Sequence, residues 1–433
     1  MRPVNVTSEI GRLRRVLVHA PGREVDLMVP SMMEELLFDD ILFGDAARAE
    51  HERFRRVLEL LGVEVLEIQT LLQEALESDE AHRWVLDPFR GALSRRLIQR
   101  LSDADPATLA ELLVHGVRID DARAGTVDLG RDGTEVDDLF EIPPVPNLCF
   151  QRDPQVVIGE HVAIASMATA ARWRESLLAA TVFRFHPRLA SASLVAGPLE
   201  QAGEQPVLLG PRRPTFEGGD VLVLSREVIA VGTSERTNRT GIRHLARAFS
   251  AIEDGPRWMI LFQLPNERAF MHLDTVLTPI DRDTCLAYAP LINRETPPFA
   301  RAAEIDLRAD EFTPRACPDF FGALRSRGID LKPIPCGGAD PVRQQREQWT
   351  DGANVLAVAP GVIMMYDRNL ATAETLHDEG YRVIGSDDLL LGRTSVDPDG
   401  GERVCILLAS HEISRARGGP HCLSHPLLRD DLD

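Results

Sequence analysis

Five side chains stand where they could act on a cation: Asp153, Glu217, His272, Asp274 and Cys422. Asp153 lies in NLCFQRDP (147–154), Glu217 in FEGGD (216–220), and His272 and Asp274 in MHLDT (271–275). Each motif leads into a pair of short apolar runs that reads as a β-hairpin. If those hairpins are related units around a common axis, equivalent strand ends meet and the four side chains converge. Three carboxylates in one cavity repel one another unless a cation lies among them, so the guest is a metal ion or an organic cation. Singly, each motif has a plainer reading: a turn salt bridge at Arg152-Asp153-Pro154, a tight turn at Glu217–Asp220, a structural hydrogen bond for His272 and Asp274. Their matching positions in successive units carry the functional reading.

Cys422, in RGGPHC (417–422), supplies a candidate nucleophile behind two glycines that let the backbone approach closely and move. A free thiol titrates near about 8.5 and needs a cation beside it to be substantially thiolate. A histidine or a bound cationic substrate would serve. The plainer reading of a lone cysteine, a small buried apolar side chain, applies to the other five. A metal alternative uses His411, His421, Cys422 and His425, but adjacent residues of an extended chain point to opposite faces. Zinc spacings such as C-x-x-C or H-E-x-x-H do not occur in the chain.

The elements that must position these groups follow one pattern. Hairpins are expected at 155–166, 219–232, 273–289 and 353–366, with one strand of a fifth unit at 14–19. Helical stretches follow at 46–61, 168–180, 235–249, 316–327 and 371–379. A strand–strand–helix unit repeated about five times cannot bury its faces alone, so the units should pack around an axis. The expectation is an α/β fold, a five-unit pseudo-symmetric propeller of ββαβ-type units spanning 1–70 and 139–433. Residues 71–138 carry helical spacing and no convincing strand, and read as a helical insertion on that scaffold.

Composition narrows the classes. The 433 residues carry 48 basic and 67 acidic side chains, a net charge of −19, which disfavours nucleic acid and anionic membranes as partners. Lys332 is the only lysine, so 48 − 1 = 47 basic residues are arginine. Its setting, Asp330-Leu331-Lys332-Pro333, excludes a P-loop and offers no Schiff-base motif. No apolar run is long enough to span a bilayer, no apolar stretch follows Met1 so no secretory signal is expected, and the sparse cysteines suit a reduced compartment. A cytoplasmic location is expected.

The ordered set NLCFQRDP, FEGGD, SERTNR (234–239), MHLDTV, REQWTDGAN (346–354), YDRN (366–369) and RGGPHC resembles the arginine deiminases, guanidino-group modifying enzymes. The segments EIGRLRRVLVHAPGRE (9–24) and ELLFDDI (35–41) extend the resemblance over nearly the whole chain. It implies hydrolysis of free L-arginine to L-citrulline and ammonia, with no metal and no organic cofactor. Cys422 then matches the nucleophile and His272 the general acid and base. Asp153 and Asp274 match the carboxylates that grip the guanidinium, and Glu217 the one beside the histidine. Arg172 and Arg236 match the pair that hold the α-carboxylate, Asn147 and Phe150 match pocket residues, and Arg417 matches the mobile-loop arginine. A homo-oligomer is implied by the resemblance alone.

The same resemblance implies the chemistry. A guanidinium is planar, resonance-stabilised and always protonated, so water barely attacks it. Carboxylates on its edges orient it and leave the central carbon open from a face. Attack by Cys422, departure of ammonia assisted by His272, and hydrolysis of a thiouronium intermediate would follow. One alternative is a sister hydrolase or amidinotransferase acting on agmatine or a methylated arginine; agmatine would leave Arg172 and Arg236 without a carboxylate. The other is a catalytically silent arginine-binding protein, against which the intact Cys422, His272 and carboxylates stand. The chain departs from the family pattern at Ala416, where glycine is usual and loop closure is at stake, at Cys149 and Gln151, and at Ala373, where asparagine is expected.

Overall fold

The computed structural model describes residues 2–119, 139–197, 213–292 and 301–432. The anticipated hairpins are present. Gln155–Ile158 pairs antiparallel with His161–Ile164, Val221–Val223 with Val228–Thr233, Leu277–Pro279 with Thr284–Ala287, and Leu356–Ala359 with Val362–Tyr366. In each unit the chain leaves the hairpin, crosses through one or more helices and returns as a strand parallel to the second hairpin strand. Those returning strands are Ser193–Ala196, Trp258–Gln263, Lys332–Pro335 and Val404–Leu408. The ends of the chain complete another sheet: Leu13–Val18 pairs parallel with Glu64–Glu67 and antiparallel with His425–Arg429.

The propeller expectation does not hold. Among the described residues the strands form six separate small sheets, mostly mixed, and none is closed or strongly curled, so no propeller architecture is evident. The units are also unequal. The sheet holding Val221–Val223 gains Arg301–Asp306 and Arg315–Cys317, and the one holding Leu356–Ala359 gains Arg382–Gly385. A hairpin–helix period fixes pairing inside a unit through alternate burial, but it does not set the angle between one unit and the next.

Within 71–138, the helices Asp79–Leu86, Arg95–Ser102 and Pro106–His115 follow one that starts at Ile68. Residues 120–138 of this stretch lie outside the described residues. The helices share one apolar cluster with the helix Trp173–Phe185, joining Leu72, Leu101 and Leu113 to Leu178 and Val182. Trp84 packs edge-on against Phe185 at 5.5 Å, and Phe89 lies 5.3 Å from Trp173. That packing steadies the helix immediately after Arg172. No helix of the described residues is long and apolar enough to cross a membrane.

One buried ion cluster ties the first strand to the second. His19 Nδ1 lies 2.6 Å from Glu67 and Nε2 lies 3.3 Å from the fully buried Glu24. Burial alone would depress the imidazole, but Glu67 and Glu24 raise it to about 10. With an unfolded value near about 6.5, the folded state holds the extra proton. This stabilisation is complete below about pH 6.5 and is lost as pH rises through about 10. The unfolding temperature should therefore fall between pH 7 and pH 10, and less steeply in His19→Gln. An equal slope in that variant would contradict the assignment.

Candidate active site

Of the four residues before the hairpins, Asp153 and His272 line one pocket, whereas Glu217 and Asp274 are not among its lining residues and instead contact His272 and Cys422. Arg172, Arg236, Arg417, Cys422, Asn147 and Phe150 line the same pocket. Its free volume is ≈ 20 Å³, little more than the roughly 10–15 Å³ that one water needs. An arginine does not fit unless the wall opens.

Local structure explains how each group is held. FEGGD runs as an extended Glu217 followed by the turn Gly218–Asp220, which delivers the chain into Val221–Val223. A Cβ on Gly219 would lie 2.7 Å from His272 Nδ1, so glycine is what lets the imidazole pack there. Asp220 accepts from the Leu273 N–H at 2.9 Å and from the Ser234 hydroxyl at 2.6 Å, which fixes the backbone beside His272. Burial pushes the Asp220 carboxyl up to about 7. Asn238 caps the helix Arg239–Ser250 by accepting from the Gly241 N–H at 2.8 Å, and so anchors the turn that carries Arg236.

His272 Nε2 lies 2.8 Å from Glu217, and Nδ1 lies 3.6 Å from Asp153. Burial would lower the imidazole, but Asp153, Glu217 and Asp220 raise it to about 9, so it carries its proton at neutral pH. Glu217 shows the opposite balance. Burial would raise it, but Arg236, His272 and Arg172 hold it well below the usual carboxylate range.

The cation demanded by clustered carboxylates is already present, and it is Arg172. Its guanidinium donates to Asp153 at 2.9 Å, to both oxygens of Glu175 at 2.9 and 2.8 Å, and to Glu217 at 3.4 Å. Arg172 thus sits among carboxylates rather than at an empty anion site. Arg236 lies 3.5 Å from Glu217, and its Nη1 has no hydrogen-bond partner among the described residues. Asp153, Glu217 and His272 present ligand atoms within 4.8 Å of one another, the spacing of a metal site. Arg172 and Arg236 already compensate those carboxylates, so an added dication would face two guanidinium groups. The donor set therefore fits a metal poorly.

Asp274 belongs to a second group, around the thiol. Its Oδ2 lies 3.5 Å from Cys422 Sγ and 2.8 Å from His421 Nδ1. Asn354 holds both partners, accepting from the Cys422 N–H at 3.0 Å and donating to the Asp274 carbonyl at 3.1 Å. Burial first, then the charges of Asp274, Asp153 and Asp351, push the thiol well above its ordinary value. The free protein therefore holds Cys422 as a thiol, and a cation must arrive beside it to favour thiolate.

Arg417 lines the pocket just after the short helical turn Ile413–Ala416. It is a non-glycine residue at φ 65°, and its guanidinium lies 3.7 Å from the Trp349 ring centroid and 3.9 Å from Asp39. None of its three guanidinium nitrogens has a hydrogen-bond partner among the described residues. Gly418 is at φ 140°, where a Cβ would lie 2.5 Å from the Phe150 ring, so this turn requires glycine. Asn147 is engaged elsewhere, donating to the Leu36 carbonyl at 2.8 Å.

The departures from the family pattern are accommodated locally. Ala416 closes the short helical turn Ile413–Ala416, a conformation open to any residue, and the left-handed position falls on Arg417 instead. Cys149 donates to the Pro146 carbonyl, and Gln151 donates to the Leu148 carbonyl at 2.7 Å. Ala373 lies in the helix Leu370–Asp378, whose first turn is tied to Glu347 through Ala371 and Thr372. Glu175, Asp351, Asn354 and Trp349 also take part, without a role foreseeable from the motifs alone. The pair Arg172 and Glu175 at a three-residue spacing was the available signal for the first; the others lie inside REQWTDGAN.

A family model described as arginine deiminase matches residues 34–429. An arginine deiminase of Clostridium perfringens is 35% identical over 450 residues, covering 100% of this chain and 99% of its own. One from Staphylococcus haemolyticus is 33% identical, with 99% of each chain covered. Among solved structures, an amidinotransferase of saxitoxin biosynthesis from Microseira wollei aligns with a TM-score of 0.55 at 17% identity. That alignment covers 99% of this chain and 98% of the other. At that identity the likeness speaks for the fold alone.

Proposed function

The chain belongs to the arginine deiminase family, hydrolases acting on the guanidinium group of arginine, and from that premise we propose how its buried side chains divide the work. The reaction is hydrolysis of arginine to citrulline and ammonia. The observation that carries the assignment is a thiol, an imidazolium and the Asp153 carboxylate lining one pocket, with Glu217 against the imidazolium and Asp274 against the thiol.

In this proposal the wall bearing Arg417 opens and the substrate's guanidinium enters between Asp153 and Asp274. It takes Asp153 over from Arg172, which turns with Arg236 to the α-carboxylate. Asn147 and Phe150 complete the wall around the aliphatic stem. The helical stretch within 71–138 acts as a buttress for the helix behind Arg172. The arriving positive charge favours loss of the Cys422 proton to water, and the thiolate attacks the central guanidinium carbon. The carbon–nitrogen bond then breaks as His272 gives its proton to the departing ammonia. The neutral imidazole next accepts a proton from water as that water adds to the thiouronium carbon. As the carbon–sulfur bond breaks, the adduct's hydroxyl gives up its proton to water, so citrulline is released with its ureido carbonyl and the Cys422 thiolate is restored. Every proton in this cycle moves on protein, substrate or water, and no cofactor is called for.

The substrate in this proposal is free L-arginine. Agmatine lacks the α-carboxylate and would leave two buried arginines without their partner, a penalty of about 10⁴-fold in kcat/KM where a polar site goes unmatched. Incubation with arginine, agmatine and a dimethylarginine, reading ureido product and ammonia, tests this. Equal amounts of citrulline and ammonia from arginine alone are expected. Preference for agmatine or a methylated arginine would overturn the substrate assignment.

A further inference from the structure

The opening motif 9–24 has no part in the mechanism above, yet its first residue reaches the site from behind. Glu9 is buried, 412 positions from His421, and its Oε2 lies 3.1 Å from His421 Nε2. Its other oxygen accepts from the Val223 N–H at 3.1 Å, which pins the carboxylate to the strand Val221–Val223. The opposite ring nitrogen of His421 lies 2.8 Å from Asp274 Oδ2, the oxygen that also faces the Cys422 thiol. Asp274 Oδ1 is buried and has no hydrogen-bond partner among the described residues. The result is a chain, Glu9–His421–Asp274, that ties up one carboxylate oxygen and leaves the other bare.

We propose that Glu9 and His421 are positioning residues that set the orientation of the Asp274 carboxylate, presenting Oδ1 to the substrate's guanidinium and Oδ2 to the thiol. The proposal rests on the reading of Asp274 as a guanidinium ligand. Without this chain, Asp274 would rotate freely about its last torsion and its bare oxygen would have no fixed direction. The backbone is held separately: Arg152 donates to the Cys422 carbonyl from its N–H at 3.1 Å and to the His421 carbonyl from Nε at 3.4 Å. The ring of His421 can therefore be exchanged without releasing the nucleophile's main chain.

The charges around this chain agree in sign. Burial would raise Asp274, but the hydrogen bond and charge of His421, then His272 and Arg152, keep it below its ordinary value. Asp351 and the thiol of Cys422 face the same carboxylate and do not help to ionise it. Glu9 is held well below the usual carboxylate range against its burial, first by Arg152 and then by His421, with Arg429 behind. The buried His425 adds no compensating charge, because burial keeps its imidazole neutral.

Four variants in the full-length protein test the proposal: Glu9→Gln, His421→Phe, His421→Asn and Asp274→Asn. The readout is the pH profile of kcat/KM for arginine, with kcat and KM resolved. Glu9→Gln and His421→Phe should lose about 10- to 100-fold in kcat/KM, with the acid limb moved to higher pH, because Asp274 protonates more readily. His421→Asn, whose amide can replace Nδ1 towards Asp274, should keep its acid limb close to the wild-type position. It also covers the case in which His421→Phe does not fold. Profiles within twofold of wild type for Glu9→Gln and His421→Phe would overturn the proposal. So would an equal loss at every pH with His421→Asn no better than His421→Phe, the pattern of a packing role. If Asp274→Asn is itself active, the reading of Asp274 fails and takes the proposal with it. If Asp274→Asn is inactive and the other three are normal, only the positioning role fails.

Discussion

Replacing Cys422 with alanine is expected to abolish turnover of arginine while leaving its binding in place. The side chain is the one group in the pocket that can bond covalently to a guanidinium carbon, and its loss should cost on the order of 10⁴-fold or more in kcat. Binding should survive because the residue's backbone is held independently of its sulfur, by Asn354 on the N–H and Arg152 on the carbonyl. Truncation also removes a thiol that three carboxylates already oppose as an anion. Calorimetry of Cys422→Ala with arginine should therefore show a dissociation constant within about tenfold of the wild-type KM. Residual turnover above about one part in a hundred would remove Cys422 from the nucleophile's role.

Replacing His272 with asparagine is the second large effect, a fall in kcat of about 10²- to 10⁴-fold, the range for a positioned general acid and base. The expectation follows from its setting. Glu217 at 2.8 Å and Asp153 at 3.6 Å raise the imidazole to about 9, so the proton for ammonia is on the ring at neutral pH. It is lost as pH rises through about 9, which places an alkaline limb there in the wild-type kcat/KM profile. Because the same ring acts again on the intermediate, the slowed variant should accumulate adduct on Cys422. A His272→Asn enzyme that keeps both its rate and its alkaline limb would show that another group moves the proton.

Part of the site is legible in the chain because each candidate side chain stands just before a hairpin that the alternation marks out. Asp153, Glu217 and His272 meet in the structure, although the repeat does not dictate how the units are set against one another, and Cys422 follows a turn in which Arg417 and Gly418 take positive φ. What surrounds them is less legible. The cation among the carboxylates can be foreseen from charge, but its identity as the chain's own Arg172 cannot, because an external guest satisfies the same electrostatics. Glu9 reaches His421 through packing that carries no local period. His19 is similar: two carboxylates meet it from a nearby turn and from the end of a neighbouring strand. The fold shows the same division. Hairpins and their helices follow from alternation and 3.6-residue spacing, whereas the arrangement of the sheets does not, and the propeller drawn from the repeat was the part the structure corrected.

The central claim is that arginine is hydrolysed through a covalent bond to Cys422. Rapid acid quenching of the wild-type protein during turnover of arginine labelled in its carbon chain, followed by peptide mass spectrometry, tests it most directly. The account predicts a label on the peptide containing Cys422 that appears before citrulline, retains the arginine carbon skeleton without one ammonia, and is absent in Cys422→Ala. Steady production of citrulline with no label on any peptide, or with the label on another residue, would contradict it.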